Sequence, residues 1–340
     1  MAPATKRKYG VALVGLGRYA TGQLMPALQH TQNCQLVALV TGTKSKAALY
    51  GGRYQIPDTH IYNYDNFDRI VENEDVDIVY IVLPNSMHAE YSIRAANAGK
   101  HVICEKPMAL SVAESQAMIA AGEANQVTLN IGYRLHFHQA HRVAIQVGRE
   151  QPEGAVKYMQ AELAFKVTDP SEWRLNKALA GGGALYDLGI YCIQAARYST
   201  GQSPVSVIAR EYKTDAELFS QVDETVNFQL EFADGAVMSA TTSYNFKADR
   251  HFVAYANNQS TLEIRDAFNY SGQQLFMNGR RVALSRVVMQ SLQMDAVCRS
   301  LESGADTGIS GAEGLKDMCI LDAIYRSIAA DGRRVVIDYS

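Results

Sequence analysis

The sequence has 340 residues, is 47% hydrophobic and 20% charged, and carries a formal net charge of −3. This length exceeds one ordinary core and suits two domains, and the composition is that of a globular chain, not a disordered one. The charge balance offers no basic field for nucleic acid, and no apolar run nears the roughly 20 residues a membrane helix needs, so neither partner is expected.

The basic N-terminal stretch Met1–Tyr9 runs straight into a short apolar segment and glycines, without a secretory apolar core, so an unexported, cytoplasmic protein is expected. The first 130 residues then alternate short β-branched runs with helical patterns. Val11–Val14, Leu36–Val40, Ile78–Leu83, His101–Cys104 and Thr128–Ile131 read as buried strands. Thr21–His30, Lys44–Gly51, His88–Ala98 and Ser111–Asn125 read as helices, Gly99 as a helix C-cap, and Ser111 with Glu114 as a capping box. Alternation of this kind predicts a parallel sheet covered on both faces. Beyond about residue 150 the pattern changes to strands without intervening helices: Val156–Val167, Val205–Tyr212, Thr225–Phe232, Ala236–Ser243, His251–Ala256 and Ser260–Ile264. Asp234-Gly235 and Asn278-Gly279 mark hairpins. Helices are predicted over Ala184–Ser199, Met289–Ser303 and Gly311–Ala330. The fold class is an α/β Rossmann domain, residues 1–133, followed by an α+β domain, residues 134–340, with a large, mostly antiparallel open sheet. The last helices are allowed to pack back on the first domain. Cys34, Cys104, Cys192, Cys298 and Cys319 are scattered and form no CxxC, against a disulfide framework or zinc site and for a reducing compartment.

Gly15-Leu16-Gly17-Arg18-Tyr19-Ala20 follows the first strand and opens a helix, the dinucleotide fingerprint with Ala third. Gly15 permits the tight turn, Gly17 the close approach of the pyrophosphate, and Ala20 the packing of helix on strand, while the helix N-terminus offers N–H groups to phosphate. NAD binders usually end the second strand with an acid that takes the ribose 2′-OH. Here the strand runs into Thr41-Gly42-Thr43-Lys44-Ser45-Lys46, with no acid. A hydroxyl from Thr41 and cations from Lys46 and Arg18 suit a 2′-phosphate, so NADP is expected.

Four further segments carry chemistry: Leu83-Pro84-Asn85-Ser86-Met87-His88 and Cys104-Glu105-Lys106-Pro107 at strand ends, Gly132-Tyr133-Arg134 after the fifth predicted strand, and Trp173-Arg174 with Gly181-Gly182-Gly183-Ala184-Leu185-Tyr186-Asp187-Leu188-Gly189-Ile190-Tyr191 in the second half. With the glycine loop, these resemble the glucose–fructose oxidoreductase branch of the Gfo/Idh/MocA oxidoreductases in order and spacing over nearly the whole chain. The resemblance implies that Lys106 and Tyr191 are catalytic and flank the nicotinamide. It also implies that Asp187 holds a sugar hydroxyl and that Arg134, Trp173 and Arg174 line the substrate site. The implied cofactor contacts comprise Gly15, Leu16, Gly17, Arg18, Tyr19, Thr41, Gly42, Lys46, Tyr64, Leu83, Pro84, Asn85, His88, Glu105, Lys106, Arg134, Trp173 and Arg174. A tyrosine near its ordinary pKa of about 10 is a poor base at neutral pH, and a neighbouring ammonium favours the phenolate.

The implied activity is oxidation of an aldose at C1 to a lactone and reduction of a second sugar to an alditol, with NADP(H) tightly bound, in a site between the domains. An aldose 1-dehydrogenase with freely exchanging NADP is an alternative, and a non-catalytic NADPH sensor a second. The family also implies a homodimer or homotetramer through the C-terminal sheet. No metal is expected: His136, His138 and His141 read as a surface or interdomain face. Arg134 reads equally as a brace or a substrate ligand.

Overall fold

The computed structural model describes residues 7–151, 154–248, 251–256 and 258–340; the Met1–Lys6 part of the basic N-terminal stretch lies outside them. The chain divides into two compact units. The first holds the residues up to Ala109, Ala113–Arg134 and Val288–Gly314; the second holds Leu110–Val112, Leu135–Val287 and Leu315–Ser340.

The first unit is built on a six-stranded sheet of β1 (Tyr9–Val14), β2 (Cys34–Val40), β3 (Ile61–Tyr62), β4 (Ile78–Ile81), β5 (His101–Cys104) and β6 (Leu129–Ile131), in the order β3-β2-β1-β4-β5-β6. All five pairings are parallel. Val11–Val14 and Ile78–Ile81 are almost wholly buried, as strands covered on both faces must be. Only the two-residue β3 escapes sequence reading, being too short to leave a periodicity. Val14 lies beside both Val40 and Ile81, Ile81 beside Cys104, and Cys104 beside Ile131. The carboxyl ends of the strands are thus level, and the residues that follow them share one edge.

The predicted helix at Thr21–His30 is a π-helical turn, Ala20–Leu24, running into an α-helical turn, Met25–Leu28. Pro26 sits at the head of that second turn, where a missing N–H is tolerated. The remaining helices, Lys44–Tyr54, His88–Asn97 and Val112–Ala124, occupy the predicted places, and Gly99 takes φ +70° just past one of them. Helix Met289–Ser303 belongs to this unit too. Asp295 on it accepts the backbone N–H groups of Gln32 (2.9 and 3.0 Å) and Asn33 (2.8 Å), and Ile131 donates to the Ile309 carbonyl at 2.7 Å.

The second unit carries a nine-stranded sheet: β7 (Val156–Ala164), β8 (Ser206–Tyr212), β9 (Thr225–Glu231), β10 (Val237–Ser243), β11 (His251–Ala256), β12 (Thr261–Arg265), β13 (Gln274–Met277), β14 (Arg280–Val282) and β15 (Val335–Val336). The order is β14-β13-β12-β11-β7-β10-β9-β8-β15, antiparallel throughout except for β7 with β10. Asp234-Gly235 turns β9 into β10, and Asn278-Gly279, both with positive φ, turns β13 into β14. Alternate residues face a core: on β9, Val226, Phe228 and Leu230 are buried while Asn227 is exposed.

Helices Gln139–Glu150 and Ile190–Thr200 and most of Gly311–Ala329 complete the unit. Helix Gln139–Glu150 is absent from the sequence reading although Ala140, Val143, Ala144 and Val147 recur at helical spacing; its buried residues are Ala140, His141, Ala144, Ile145 and Gly148. A Cβ on Gly148 would lie 2.6 Å from the Ser199 backbone, so these two helices touch closely. Arg197 pairs with Asp317 at 2.5 Å, with side chains only 4% and 0% exposed. All five cysteines are free and buried, and among the described residues no helix is long and apolar enough to cross a membrane.

Candidate functional site

The level carboxyl edge of the six-stranded sheet gathers Gly15, Thr41, Leu83, Glu105 and Gly132. Strand order reverses between β1 and β4, and ligands bind open α/β sheets at such a switch point. Gly15 takes φ +90°, and a Cβ there would lie 2.4 Å from the Val82 carbonyl. A Cβ on Gly17 would meet nothing within 4 Å, so the second glycine faces open space. Ala20 is fully buried. This is a backbone cradle open on the side a pyrophosphate would take, at the head of a helix, and the residues fit a dinucleotide.

At the end of β2, Thr41 is buried and accepts the Thr43 N–H at 3.2 Å. Lys46 donates to the Leu16 carbonyl at 2.9 Å, which brings its ammonium against the glycine loop. A Cβ on Gly42 would stand 3.1 Å from the Tyr64 ring, so that ring covers the Gly42 backbone. Arg18 is exposed and Tyr19 half-buried.

After β4, Pro84 precedes the turn Asn85–Met87 and helix His88–Asn97. His88 is buried, with Nδ1 2.8 Å from the Pro107 carbonyl and Nε2 3.0 Å from the Leu83 carbonyl. Its ring sits between two loops. Burial, with a smaller contribution from the Lys106 ammonium, holds its pKa below the usual histidine value, and a neutral ring donates to only one of those carbonyls. Lys106 is half-exposed beside buried Glu105. The Glu105 carboxyl accepts from the Tyr80 hydroxyl at 2.8 Å, and Gln293 donates to that hydroxyl at 3.2 Å. Burial pushes Glu105 up to about 7, against the opposing pull of the Tyr80 hydrogen bond and the charges of Lys106 and Arg134. Arg134 is 3% exposed and lies against the Met289 sulfur at 3.8 Å.

In the second unit the triple glycine is shaped by what surrounds it. Gly181 takes φ +79°; a Cβ on Gly182 would lie 2.1 Å from the Tyr325 hydroxyl, and one on Gly183 would lie 2.0 Å from the Asp223 carbonyl. The Asp223 carboxylate accepts from Gly183 N and Leu185 N, both at 2.7 Å, and from the Tyr325 hydroxyl at 2.5 Å. This pins the loop that leads into a π-helical turn, Leu185–Gly189, and then helix Ile190–Thr200. Asp187 sits in the π turn, so the single-face placement with Tyr191 expected of a regular α-helix holds only in part.

Asp187 Oδ2 accepts from Arg174 Nε at 3.1 Å and from the Tyr244 hydroxyl at 2.9 Å. Arg174 also donates to Glu172 at 3.0 Å and lies 4.7 Å over the Trp173 ring. Burial works against the Arg174 charge, yet the carboxylates of Asp187 and Glu172 raise its pKa further; burial and Asp187 together push the Tyr244 phenol well above its ordinary value. Tyr191 is half-exposed, its ring 6.1 Å from Phe268. Of the histidine trio, His138 caps helix Gln139–Glu150 by accepting from Ala140 N at 3.2 Å, and buried His141 places Nε2 2.8 Å from the Ala267 carbonyl. These two are buried, so the surface alternative of the expected surface or interdomain face does not hold for them; the helix they start packs with its histidine side inward. Among the described residues no group of side chains suits a metal ion.

Sequence reasoning missed Tyr80, Gln293, Asp223, Tyr325, Glu172 and Tyr244. Only Tyr80 left a signal: a phenol inside the wholly buried strand Ile78–Ile81 needs a partner for its hydroxyl.

Residues 9–133 match the oxidoreductase family with NAD-binding Rossmann fold, and residues 141–264 match the GFO/IDH/MocA C-terminal domain. The chain belongs to the Gfo/Idh/MocA oxidoreductase family and is an NAD(P)-dependent oxidoreductase. It is similar to the aldose–aldose oxidoreductase from Caulobacter crescentus, whose crystal structure with glycerol superposes with a TM-score of 0.93 at 40% identity, covering 97% of this chain and 100% of that one. It is 27% identical to the NADP-dependent D-xylose 1-dehydrogenase of Haloarcula marismortui over 95% of this chain and 92% of that protein. It is 26% identical to D-xylose 1-dehydrogenase (NADP(+)) 2 of Haloferax volcanii over 96% and 99%.

Proposed function

We propose that this enzyme is an aldose–aldose oxidoreductase: it oxidises one aldose at C1 to the aldonolactone, then reduces a second sugar to the alditol, with NADP(H) held throughout. The observation that carries the reading is the hold on Asp187. Arg174 and Tyr244 fix one carboxylate oxygen, a few residues ahead of Tyr191 on the same run of helix, in a chain similar at 40% identity to an aldose–aldose oxidoreductase. Bound NADP supplies the hydride acceptor and, once reduced, the donor. Gly15, Leu16, Gly17, Arg18 and Tyr19 take the pyrophosphate side. Thr41, Gly42, Lys46 and Tyr64 take the adenosine side, where the missing acid and the Lys46 ammonium favour a 2′-phosphate. Leu83, Pro84, Asn85, His88 and Glu105 line the sheet edge toward the ring.

In oxidation, Tyr191 Oη takes the proton of the C1 hydroxyl as the C1–H bond gives up its electron pair. The proposed role of the Lys106 ammonium is to polarise the sugar oxygen. Asp187 holds a neighbouring hydroxyl, with Arg134, Trp173 and Arg174 bounding the sugar. In reduction, Tyr191 returns its proton to the carbonyl oxygen. No step needs a metal. The open face of the nine-stranded sheet is proposed to form a homodimer or homotetramer.

The likeness to two NADP-dependent xylose dehydrogenases favours a second reading, an aldose 1-dehydrogenase whose NADP exchanges. A non-catalytic sensor has no use for both Lys106 and Tyr191. Denaturing the purified protein and assaying the released nucleotide separates the two enzymes. Stoichiometric NADP(H), with paired lactone and alditol formation and no added cofactor, is expected; an empty protein whose turnover depends strictly on added NADP overturns the first reading.

A further inference from the structure

The Glu105 carboxyl is housed with unusual care for a side chain that only has to carry the chain from β5 into Lys106. Three separate segments make its place. Tyr80, from the middle of the sheet, donates its hydroxyl at 2.8 Å; Gln293, from helix Met289–Ser303, orients that hydroxyl by donating to it at 3.2 Å. Gly132, after β6, leaves the space: a Cβ there would lie 2.6 Å from Glu105 Oε1 and 2.9 Å from Oε2. The carboxyl also folds back to accept the backbone N–H of Lys106. An apolar side chain would fill such a space at lower cost, since a buried carboxylate pays heavily for leaving water.

We infer that Glu105 is a proton-operated positioning residue: its ionised carboxylate fixes Lys106 in backbone and charge, and its protonation releases that hold. The inference rests on the reading of Lys106 as the ammonium of the proposed reaction. The charged and titratable groups around the carboxyl are Lys106 and Arg134, which favour its ionised form, and Tyr80, Tyr19 and Cys104. Tyr80 is raised well above its ordinary value by burial and by Glu105 itself, and burial raises Cys104 too, so both stay protonated. Tyr19 acts on the Tyr80 hydroxyl. His88 lies toward Lys106, its two ring nitrogens close to the Leu83 and Pro107 carbonyls, and burial keeps it neutral. Glu105 is therefore the group in this cluster that changes charge near neutrality; burial, the largest influence on it, brings it to about 7.

The test reads Lys106 directly. The as-purified protein is reductively methylated with ¹³C-formaldehyde, and the Lys106 methyl resonance, assigned by its absence in Lys106→Arg, is followed from about pH 5 to pH 9. The expected wild-type resonance shows an inflection near neutrality that reports Glu105. Glu105→Gln, which keeps the shape and removes the charge, abolishes it. Tyr80→Phe moves it to higher pH, because the donation that favours the carboxylate is gone. A wild-type resonance without the inflection, or Glu105→Gln retaining it, overturns the inference. In the sugar-reducing direction, where Tyr191 must be protonated, wild-type kcat is expected to fall about tenfold from pH 8 to pH 6, while Glu105→Gln stays at the low rate across that range with KM nearly unchanged. A pH-dependent kcat in Glu105→Gln matching wild type overturns it as well. Absence of any sugar turnover, with the resonance behaving as expected, refutes the proposed reaction and supports the Glu105–Lys106 coupling.

Discussion

Removal of the Asp223 carboxylate tests whether the loop that carries Asp187 and Tyr191 is held by a distant side chain. Asp223 is 4% exposed and accepts from Gly183 N, Leu185 N and Tyr325 Oη. In Asp223→Ala these three donors lose their acceptor in a place where water cannot reach all of them. A buried donor without a partner costs about 1–3 kcal/mol, and hydrogen bonds to charged groups are worth about 1.5–3 kcal/mol each. Part of the sum returns because a carboxylate no longer has to be desolvated. A net loss of about 3–5 kcal/mol follows, and at about 2–4 °C per kcal/mol the melting transition of the second unit drops by about 10 °C. Asp223→Asn keeps one acceptor oxygen and the shape, so about half that loss is expected. Scanning calorimetry reads the transition, and a fluorescence titration with NADPH should find nucleotide binding within about twofold of wild type, since the dinucleotide loop lies in the other unit. Sugar oxidation should fall in kcat as Asp187 and Tyr191 lose their setting. An Asp223→Ala protein melting within about 2 °C of wild type would refute the argument that this carboxylate holds the loop.

Tyr191→Phe should lower hydride transfer by about 10²–10⁴-fold, the usual worth of a positioned acid–base group, with NADP affinity unchanged by equilibrium titration. Thr41→Asp puts a carboxylate at the end of β2; a like-charge contact of about 2 kcal/mol with a 2′-phosphate should weaken NADP close to thirtyfold and spare NAD, read as the ratio of the two dissociation constants. Glu105→Gln should change the pH dependence of stability. With the folded carboxyl at about 7 and the ordinary value 4.5, the native state binds more protons between those limits, so wild-type stability declines as pH rises through that window. The glutamine variant lacks the decline and should gain about 3 kcal/mol on wild type between pH 4 and pH 8, measured by urea unfolding.

The alternation of strand and helix in the first 130 residues was legible because the inner strands of the six-stranded sheet, Tyr9–Val14 and Ile78–Ile81 above all, are buried on both faces and read as apolar runs. The hairpins at Asp234-Gly235 and Asn278-Gly279 were legible because turn chemistry is local. Helix Gln139–Glu150 carries Ala140, Val143, Ala144 and Val147 at helical spacing, a local signal that the sequence reading passed over. The π turns at Ala20–Leu24 and Leu185–Gly189 were read as ordinary helix, because periodicity over a few residues does not separate a winding of 3.6 from a locally wider one. The chemistry-bearing residues stood out through motif order. The groups that hold them did not: Asp223 lies 40 residues from Gly183, and Gln293 lies 213 from Tyr80.

One trace of those distant groups is nevertheless written locally. Gly15 and Gly181 take positive φ, which alone accounts for glycine at both places. Gly132, Gly182 and Gly183 are not among the glycines with positive φ, so backbone conformation does not explain them. Each is explained by a neighbour standing where a Cβ would go: the Glu105 carboxyl, the Tyr325 hydroxyl and the Asp223 carbonyl. These three glycines, with no need of left-handed backbone, are the imprint of a side chain or carbonyl brought in from elsewhere in the chain, whereas Gly17 faces open space. Substituting alanine at Gly132 therefore displaces the very carboxyl that folds back on Lys106, and at Gly183 it displaces the backbone of the residue whose carboxylate pins the loop ahead of Tyr191. The two glycines answer to the same requirement: both candidate catalytic groups are set by what fills the space beside a missing side chain.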